Sequence, residues 1–249
     1  MKRHFAAALA LGLAFAGPAQ SFDLNDMTDA ERAAFRAEIR AYLLDNPEVI
    51  MEAVAVLEQR DAAQQAIDDK TLVAAHGQAL FNDPDSWAGG NLNGDITMVE
   101  FVDYRCGYCR KAHDEVAALI SQDGNIRIIV KEFPILGEDS VRSSQFAIAV
   151  RQIAGDDAYK SASEALIKLK GKPETPVLHR LANTLGLDAD EVIARMDSDE
   201  VNMVITANRS LGQQMQINGT PTFVIGDQLL RGYLPLASMQ GLVADVRNQ

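Results

Sequence analysis

Cysteine is almost missing from this 249-residue chain, which has two, and tryptophan is rarer still, with one. No long apolar run follows the first 16 residues, so nothing there has the roughly 20 apolar residues a membrane-spanning helix needs. Basic residues are in the minority, 23 against 35 acidic ones for a formal charge of −12, which disfavours nucleic acid as a partner. The four histidines, His4, His76, His113 and His179, include no pair at ligand spacing. A closed structural zinc site, which takes four Cys or His ligands, is therefore excluded. With 47% hydrophobic and 23% charged residues the chain is globular, and the acidity reads most simply as a solubility feature.

What is present begins with "MKRHFAAALALGLAFAGPAQSF". Lys2 and Arg3, the apolar stretch from Phe5 to Ala16 and the small residues before Gln20 form a secretory leader, expected to be cut after Ala19. The apolar stretch is too short to remain as an anchor, and no cysteine stands at the cut to carry a lipid. Export places the chain in an oxidising compartment, where thiol chemistry is open to it. Loss of Lys2 and Arg3 with the leader deepens the negative charge by two.

Both cysteines lie three positions apart in "TMVEFVDYRCGYCRKAHDEVAALI", residues 97–120. Such a pair can be a staple, half of a metal site or a redox couple. As a staple it closes a loop of about four residues, worth only about 2 kcal/mol before strain, and a chain of this length buries a core without it. As a metal site it has no partners for zinc, although two thiolates suit a cuprous ion.

The surrounding pattern places the pair. Residues 27–80 are rich in helix formers, with Thr28 and Glu31 as a capping box. Phe35, Ile39, Tyr42 and Leu43 fall on one face before Asn46-Pro47 breaks the helix and starts another. Ile50, Val54 and Leu57 continue the stripe until Asp61, Gln64 and Gln65 interrupt it. "NDPDSWAGGNLNG" is a turn-rich boundary with Trp87 as a core anchor. "DITMVEFVDY" and "IRIIVKEF" read as buried strands flanking a helix from Cys106 to about Ser121. Residues 137–215 read as helical, with breaks near "AGDD", "GKPETP" and "LGLDAD"; strands return at "TFVIG" and "QLLRG" before a last helix in "PLASMQGLVADV". The order is β-α-β, a helical insertion, then β-β-α.

Cys106 thus stands after a strand and at the first turn of a helix, where free N–H groups and the helix dipole favour thiolate. Arg105, Arg110 and Lys111 add positive charge nearby. A lowered pKa makes Cys106 the attacking thiol, with Cys109 one turn further in as the resolving thiol. His113, a turn beyond Cys109, is expected to face solvent rather than bind metal.

At these residues the sequence resembles the thioredoxin-fold disulfide oxidoreductases, in particular the DsbA-like branch with its helical insertion. "CGYC" after "VEFVDYR" matches the active-site position and "NGTPTFVIGD" the segment carrying the cis-proline. The resemblance implies an α/β thioredoxin fold over residues 82–249, with the insertion at about 137–215. It implies that Thr220 and Pro221 form a platform for the substrate backbone. Glu100 falls where the family places an acid beneath the active site, to exchange the resolving thiol's proton; Lys131 is taken as its buried partner. Gly107 and Tyr108 occupy the positions that tune redox poise. Strong oxidases of the family carry Pro-His there and valine before the cis-proline, whereas Gly-Tyr and Thr220 are similar to the isomerase branch. With "FRAEIRAYLLDNPEVIMEAVAVLEQRD" included, the whole chain resembles the ScsC-like proteins, a helical N-terminal segment joined to a DsbA-like domain.

That resemblance implies a periplasmic disulfide isomerase or reductase needing no cofactor and no resident metal. It acts on exported proteins with non-native disulfides and is recharged by a membrane thiol reductase of the DsbD or ScsB type. Residues 20–81 would form an arm that joins two or three copies. A DsbA-type dithiol oxidase, a copper(I)-binding or metal-delivery protein and a holdase module are the competing readings.

Overall fold

The structure is a computed structural model that describes residues 26–248. The leader expected over residues 1–19 lies outside the described residues. The chain divides into two compact units, one ending at Gln59 and the other beginning at Arg60.

The first unit holds α1 (Asp29–Asp45) and the opening turns of α2 (Glu48–Ala75). The Thr28 backbone N–H donates to the Glu31 carboxylate at 2.8 Å, and Thr28 Oγ1 accepts from the Glu31 N–H at 3.3 Å, so the capping box closes both ways. Asn46 ends α1 by donating its backbone N–H and its side-chain amide to the Tyr42 carbonyl, at 2.8 and 2.9 Å. Pro47, lacking an N–H to pair, then leads into α2. No residue of α1 is buried. Phe35, Ile39, Tyr42, Ile50, Val54 and Leu57 are exposed.

In the second unit, α3 (Gly77–Phe81) precedes a five-stranded sheet of β1 (Trp87–Gly90), β2 (Ile96–Val102), β3 (Ile126–Glu132), β4 (Thr222–Ile225) and β5 (Gln228–Arg231). The strands lie in the order β1-β3-β2-β4-β5, with β2 and β3 parallel and the other neighbours antiparallel. A parallel pair needs a crossover, supplied by α4 (Gly107–Asp123), which stops at Gly124 in a left-handed conformation (φ 72°). Between β3 and β4 lie α5 (Glu138–Lys168), α6 (Thr175–Thr184), α7 (Ala189–Met196) and α8 (Asp199–Gln214), and α9 (Leu236–Arg247) closes the unit. Gly155 kinks α5 (φ 83°) at the break expected near "AGDD".

Two features depart from the sequence reading. Trp87–Gly90 is an edge strand inside the segment read as turns; pairing with the β3 backbone, Trp87 opposite Val130, overrides its glycine-rich composition. Ser198 separates α7 from α8 by capping the Val201 N–H at 3.4 Å, a stop that the periodicity did not show.

The alternation along β2 sorts its side chains between two cores. Met98 and Val102 join Ala112, Val116 and Leu119 of α4 and Met239 and Val243 of α9. Val99 and Phe101 face the other way, with Val73, Leu80, Phe133, Leu211 and Met215. Burial on both faces explains the near-continuous apolar character of β2 and β3. Val73 and Leu80, before the boundary expected at residues 81–82, belong to this second core. Trp87 acts as the expected anchor: its ring stacks on Tyr159 at 5.6 Å and its Nε1 donates to the Asp156 carbonyl at 3.1 Å.

Candidate active site

The turn from β2 into α4 is built by Asp103, a fully buried residue that the sequence reading passed over. Its Oδ1 accepts from the Arg105 N–H at 2.8 Å and its Oδ2 from the N–H groups of Ile135 and Leu136 at 2.9 and 3.1 Å, while its carbonyl accepts from the Cys106 N–H at 3.0 Å. A single carboxylate thus binds the loop after β3 to the loop that presents the cysteines. The signal was local: an Asp two residues before a turn amide is the usual Asx arrangement.

Cys106 is the N-cap of α4, with extended backbone (φ −73°, ψ 122°), and Cys109 sits inside the first turn. Both thiols are free; Cys106 is 7% exposed and Cys109 1%. The Thr220–Pro221 peptide bond is cis, and the Thr220 carbonyl accepts from Cys106 Sγ at 3.1 Å. Tyr108, 63% exposed, stacks on Tyr233 at 6.4 Å beside the pair, and Lys111 Nζ lies 4.0 Å over the same ring. Gly107 is exposed with open space where a side chain would be.

The Cys106 thiol is lowered to about 5, chiefly because the Cys109 thiol donates to its sulfur; the Thr220 hydroxyl and the N–H groups of Cys109 and Tyr108 add to this, against the effect of burial. Cys109 is driven strongly upward by the same hydrogen bond and by burial. The two thiols are therefore chemically unequal, in the sense the N-cap position implied. Arg105 and Arg110 contribute differently from the expectation. Their guanidinium groups donate to the Leu169 carbonyl at 3.1 and 2.8 Å, and Arg105 also to Gly171 at 2.9 Å, so they secure the end of α5 rather than face the sulfur.

Thr220 Oγ1 is buried and has no hydrogen-bond partner, so its hydroxyl is free to turn to the Cys106 sulfur when the thiol ionises. Thr220→Val keeps the shape and removes the donor. The midpoint of Cys106 ionisation, read by ultraviolet absorbance of the thiolate, is expected to rise from about 5. An unmoved midpoint would remove Thr220 from the electrostatics of the site.

Behind Cys109 lies a cavity of about 320 Å³ lined by Glu100, Cys109, His113, Tyr104, Tyr159 and Lys160 among others. Glu100 is buried on β2 and is raised to about 7 by burial and then by the charge of Glu132. His113 is half-buried against this cavity, not solvent-facing, because its position on α4 turns it with Cys109 toward the sheet; burial lowers its pKa. Among the described residues no group of three or more His, Cys, Asp or Glu side chains could hold a metal ion.

Lys131 is not beside Glu100. It pairs in register with Phe101 and points to the opposite face of the sheet, 1% exposed, where Nζ meets Asp83 at 2.5 Å and the Ala79 carbonyl at 2.7 Å. Strand alternation is the cause: the residues of β3 that share the Glu100 face are Ile128, Val130 and Glu132. Glu132, which the sequence reading missed, accepts from the phenols of Tyr104 and Tyr159, both at 2.6 Å. The period-2 rule applied to "IRIIVKEF" would have singled it out.

A nucleophilic thiol able to close onto a buried neighbour, carried on a sheet of this order beside a cis-prolyl loop, is the arrangement of the thioredoxin-fold thiol–disulfide oxidoreductases, and this chain is of that class. Residues 97–244, more than half of its length, match the DSBA-like thioredoxin domain, and the chain belongs to that family. Residues 31–64 match the N-terminal domain of the copper resistance protein ScsC. A solved thioredoxin-like oxidoreductase from Silicibacter pomeroyi is 38% identical and covers 69% of this chain and 98% of its own, with a TM-score of 0.65. A linker-deletion mutant of Proteus mirabilis ScsC shares the fold over 91% of this chain and 99% of its own, at 23% identity and a TM-score of 0.66.

Among curated proteins, the Na(+)/H(+) antiporter NhaA 1 of Salinispora arenicola is 25% identical over 163 residues, 65% of this chain and 25% of the antiporter. The chain spans about a quarter of the length of the curated relatives it matches. No helix among the described residues is long and apolar enough to cross a membrane.

Proposed function

We propose that this chain is an exported protein-disulfide isomerase or reductase that keeps Cys106 and Cys109 reduced in a periplasmic setting. The observation that carries the reading is the setting of Cys106: Gly107 and Tyr108 stand between the cysteines, Thr220 precedes the cis-proline, and both neighbouring arginines donate to the end of α5 rather than to the Cys106 sulfur. The Cys106 pKa of about 5 falls between the roughly 7 of thioredoxin and the roughly 3.5 of the strong oxidant DsbA. A less stabilised thiolate makes a less oxidising disulfide.

In the proposed cycle the Cys106 thiolate attacks one sulfur of a substrate disulfide, and the other leaves as a substrate thiolate. That thiolate attacks a different disulfide of the substrate, and exchange at the mixed disulfide frees Cys106 with no net redox change. When a complex stalls, Cys109 loses its proton to Glu100 and attacks Cys106 Sγ; the substrate leaves reduced and the pair is left oxidised. Two electrons from a membrane dithiol reductase of the DsbD or ScsB type then restore both thiols. Thr220 and Pro221 present backbone to the extended substrate, which suits recognition of many misoxidised exported proteins. The exposed stripe of α1 and α2 joins two or three copies, so that several sites address one substrate.

Alkylation trapping of the protein in exporting cells, paired with refolding of a scrambled multi-disulfide protein, tests the reading. Reduced thiols and recovery of native pairing are expected. Oxidised thiols with oxidation of reduced substrates but no reshuffling would establish a dithiol oxidase instead, and cuprous binding to both thiols without turnover a metal carrier.

A further inference from the structure

Glu100 and Glu132 are buried carboxyls on the same face of neighbouring parallel strands; Glu100 stands opposite Val130 and Glu132 opposite Val102, a diagonal pair two residues out of step. Two negative charges cannot be held there cheaply, since the environment that excludes water also fails to screen them. One proton shared between them relieves the conflict. Where that proton rests is decided by the hydrogen bonds each group receives.

The two are unequal in this respect. Glu132 Oε1 accepts from both Tyr104 Oη and Tyr159 Oη at 2.6 Å, and such donors stabilise the ionised form. Glu100 receives no side-chain or backbone donor among the described residues and faces the cavity with Cys109 and His113. The geometry assigns to Glu132 the role of positioning residue: clamped by Tyr104 and Tyr159, it holds the charge of the pair and leaves the shared proton on Glu100, next to the resolving thiol.

This rests on the proposed exchange cycle and deepens it. Reduction of the Cys106–Cys109 disulfide releases Cys109 as a thiolate, which takes the Glu100 proton; in the resolving step the Glu100 carboxylate takes the Cys109 proton back. A base acts in both directions best when its pKa lies near the working pH, and the fixed charge of Glu132 brings Glu100 there. Burial, and after it that charge, raise Glu100 to about 7, and burial pushes Glu132 upward against its phenol donors, so the pair shares a proton in the neutral range.

The groups facing the pair come from every packed element. Asp103 and Tyr104 follow β2, Cys109 and His113 lie on α4, and Tyr159, Lys160 and Glu164 lie on α5. Asp103 is engaged by three backbone N–H groups, and Lys131 faces away with Asp83. Asn208 of α8 donates to the Glu132 backbone carbonyl, not to its carboxylate, at 3.1 Å.

Carbon-13 NMR titration of the glutamate side chains in the reduced full-length protein reads the two carboxyls directly, whether or not the protein is an isomerase. Glu100 is expected to carry the proton at the acid side of neutrality while Glu132 is ionised, and in Tyr159→Phe the proton is expected to shift toward Glu132. In Glu132→Gln the Glu100 midpoint should fall by about one unit or more, the coupling typical of interacting sites. The acid limb of the resolving step, followed by stopped flow from a glutathione mixed disulfide at Cys106, should move to lower pH by the same shift. A protonated Glu132 beside an ionised Glu100 in the wild-type protein, or a Glu100 midpoint unmoved in Glu132→Gln, would overturn the assignment. Should Glu132→Gln fail to fold, the wild-type titration decides alone. Failure of the isomerase reading would show instead as absent reshuffling with the carboxyl titration intact.

Discussion

Cys106→Ser is expected to abolish disulfide exchange, and Cys109→Ser to leave the first attack intact while mixed disulfides with substrates accumulate. The asymmetry follows from the ionisation of the pair: Cys106 is lowered to about 5 whereas Cys109 is held as thiol by burial and by its hydrogen bond to Cys106. Only the thiolate is nucleophilic. The second-order rate of attack on a small disulfide should therefore be flat around neutrality and fall as the pH drops through about 5, where Cys106 gains its proton. In Cys109→Ala, which removes the donor altogether, that midpoint should rise, because the largest source of stabilisation of the Cys106 thiolate is the Cys109 thiol. Alkylation rates against pH and gel analysis of trapped complexes check both statements. A chain in which Cys109 reacts first, or in which Cys109→Ser turns over normally, would reverse the assigned roles.

Removal of the first unit, with the chain begun at Arg60, is expected to yield a monomer that still exchanges small disulfides and no longer refolds a scrambled protein efficiently. Phe35, Ile39, Tyr42, Ile50, Val54 and Leu57 are exposed in the single chain, and full burial of one such side chain is worth about 1.5–3 kcal/mol. A stripe of this kind is stabilised by meeting its counterpart in a second or third copy. The cut must not run to residue 75. Asp69 binds Arg231 through two hydrogen bonds of 2.7 and 2.8 Å, and Val73 is part of the core beneath the sheet, so a longer deletion would damage the catalytic unit itself. Light scattering and refolding yields on both proteins, with Ile39→Lys as a full-length control, provide the measurement. A monomeric full-length protein, or a truncated one equal to it in refolding, would refute the arm's role.

Much of this was legible in the sequence because it depends on neighbours within a few residues. The Thr28–Glu31 box, the break at Asn46-Pro47, the change of period at Asp95 and the placement of Cys106 at the head of α4 are short-range matters of capping, ring geometry and alternation, and the structure has each of them. The α/β order around a helical insertion followed from them, and with the cysteine pair and Thr220-Pro221 it was enough to point to the family.

The tertiary structure decided what lies across the sheet. Lys131 and Glu132 are adjacent in the chain, yet one faces Asp83 and the other Tyr104 and Tyr159. Arg105 and Arg110 flank Cys106 in sequence and serve the end of α5 in space. Trp87–Gly90 is a strand only because β3 offers an edge to pair with. In each case the partner stands tens of residues away, and for the strand residues the outcome turns on register. A shift of one residue sends every side chain to the other face, so local pattern identifies the strand and its buried charges, and only the packed sheet determines which of those charges meets the thiols.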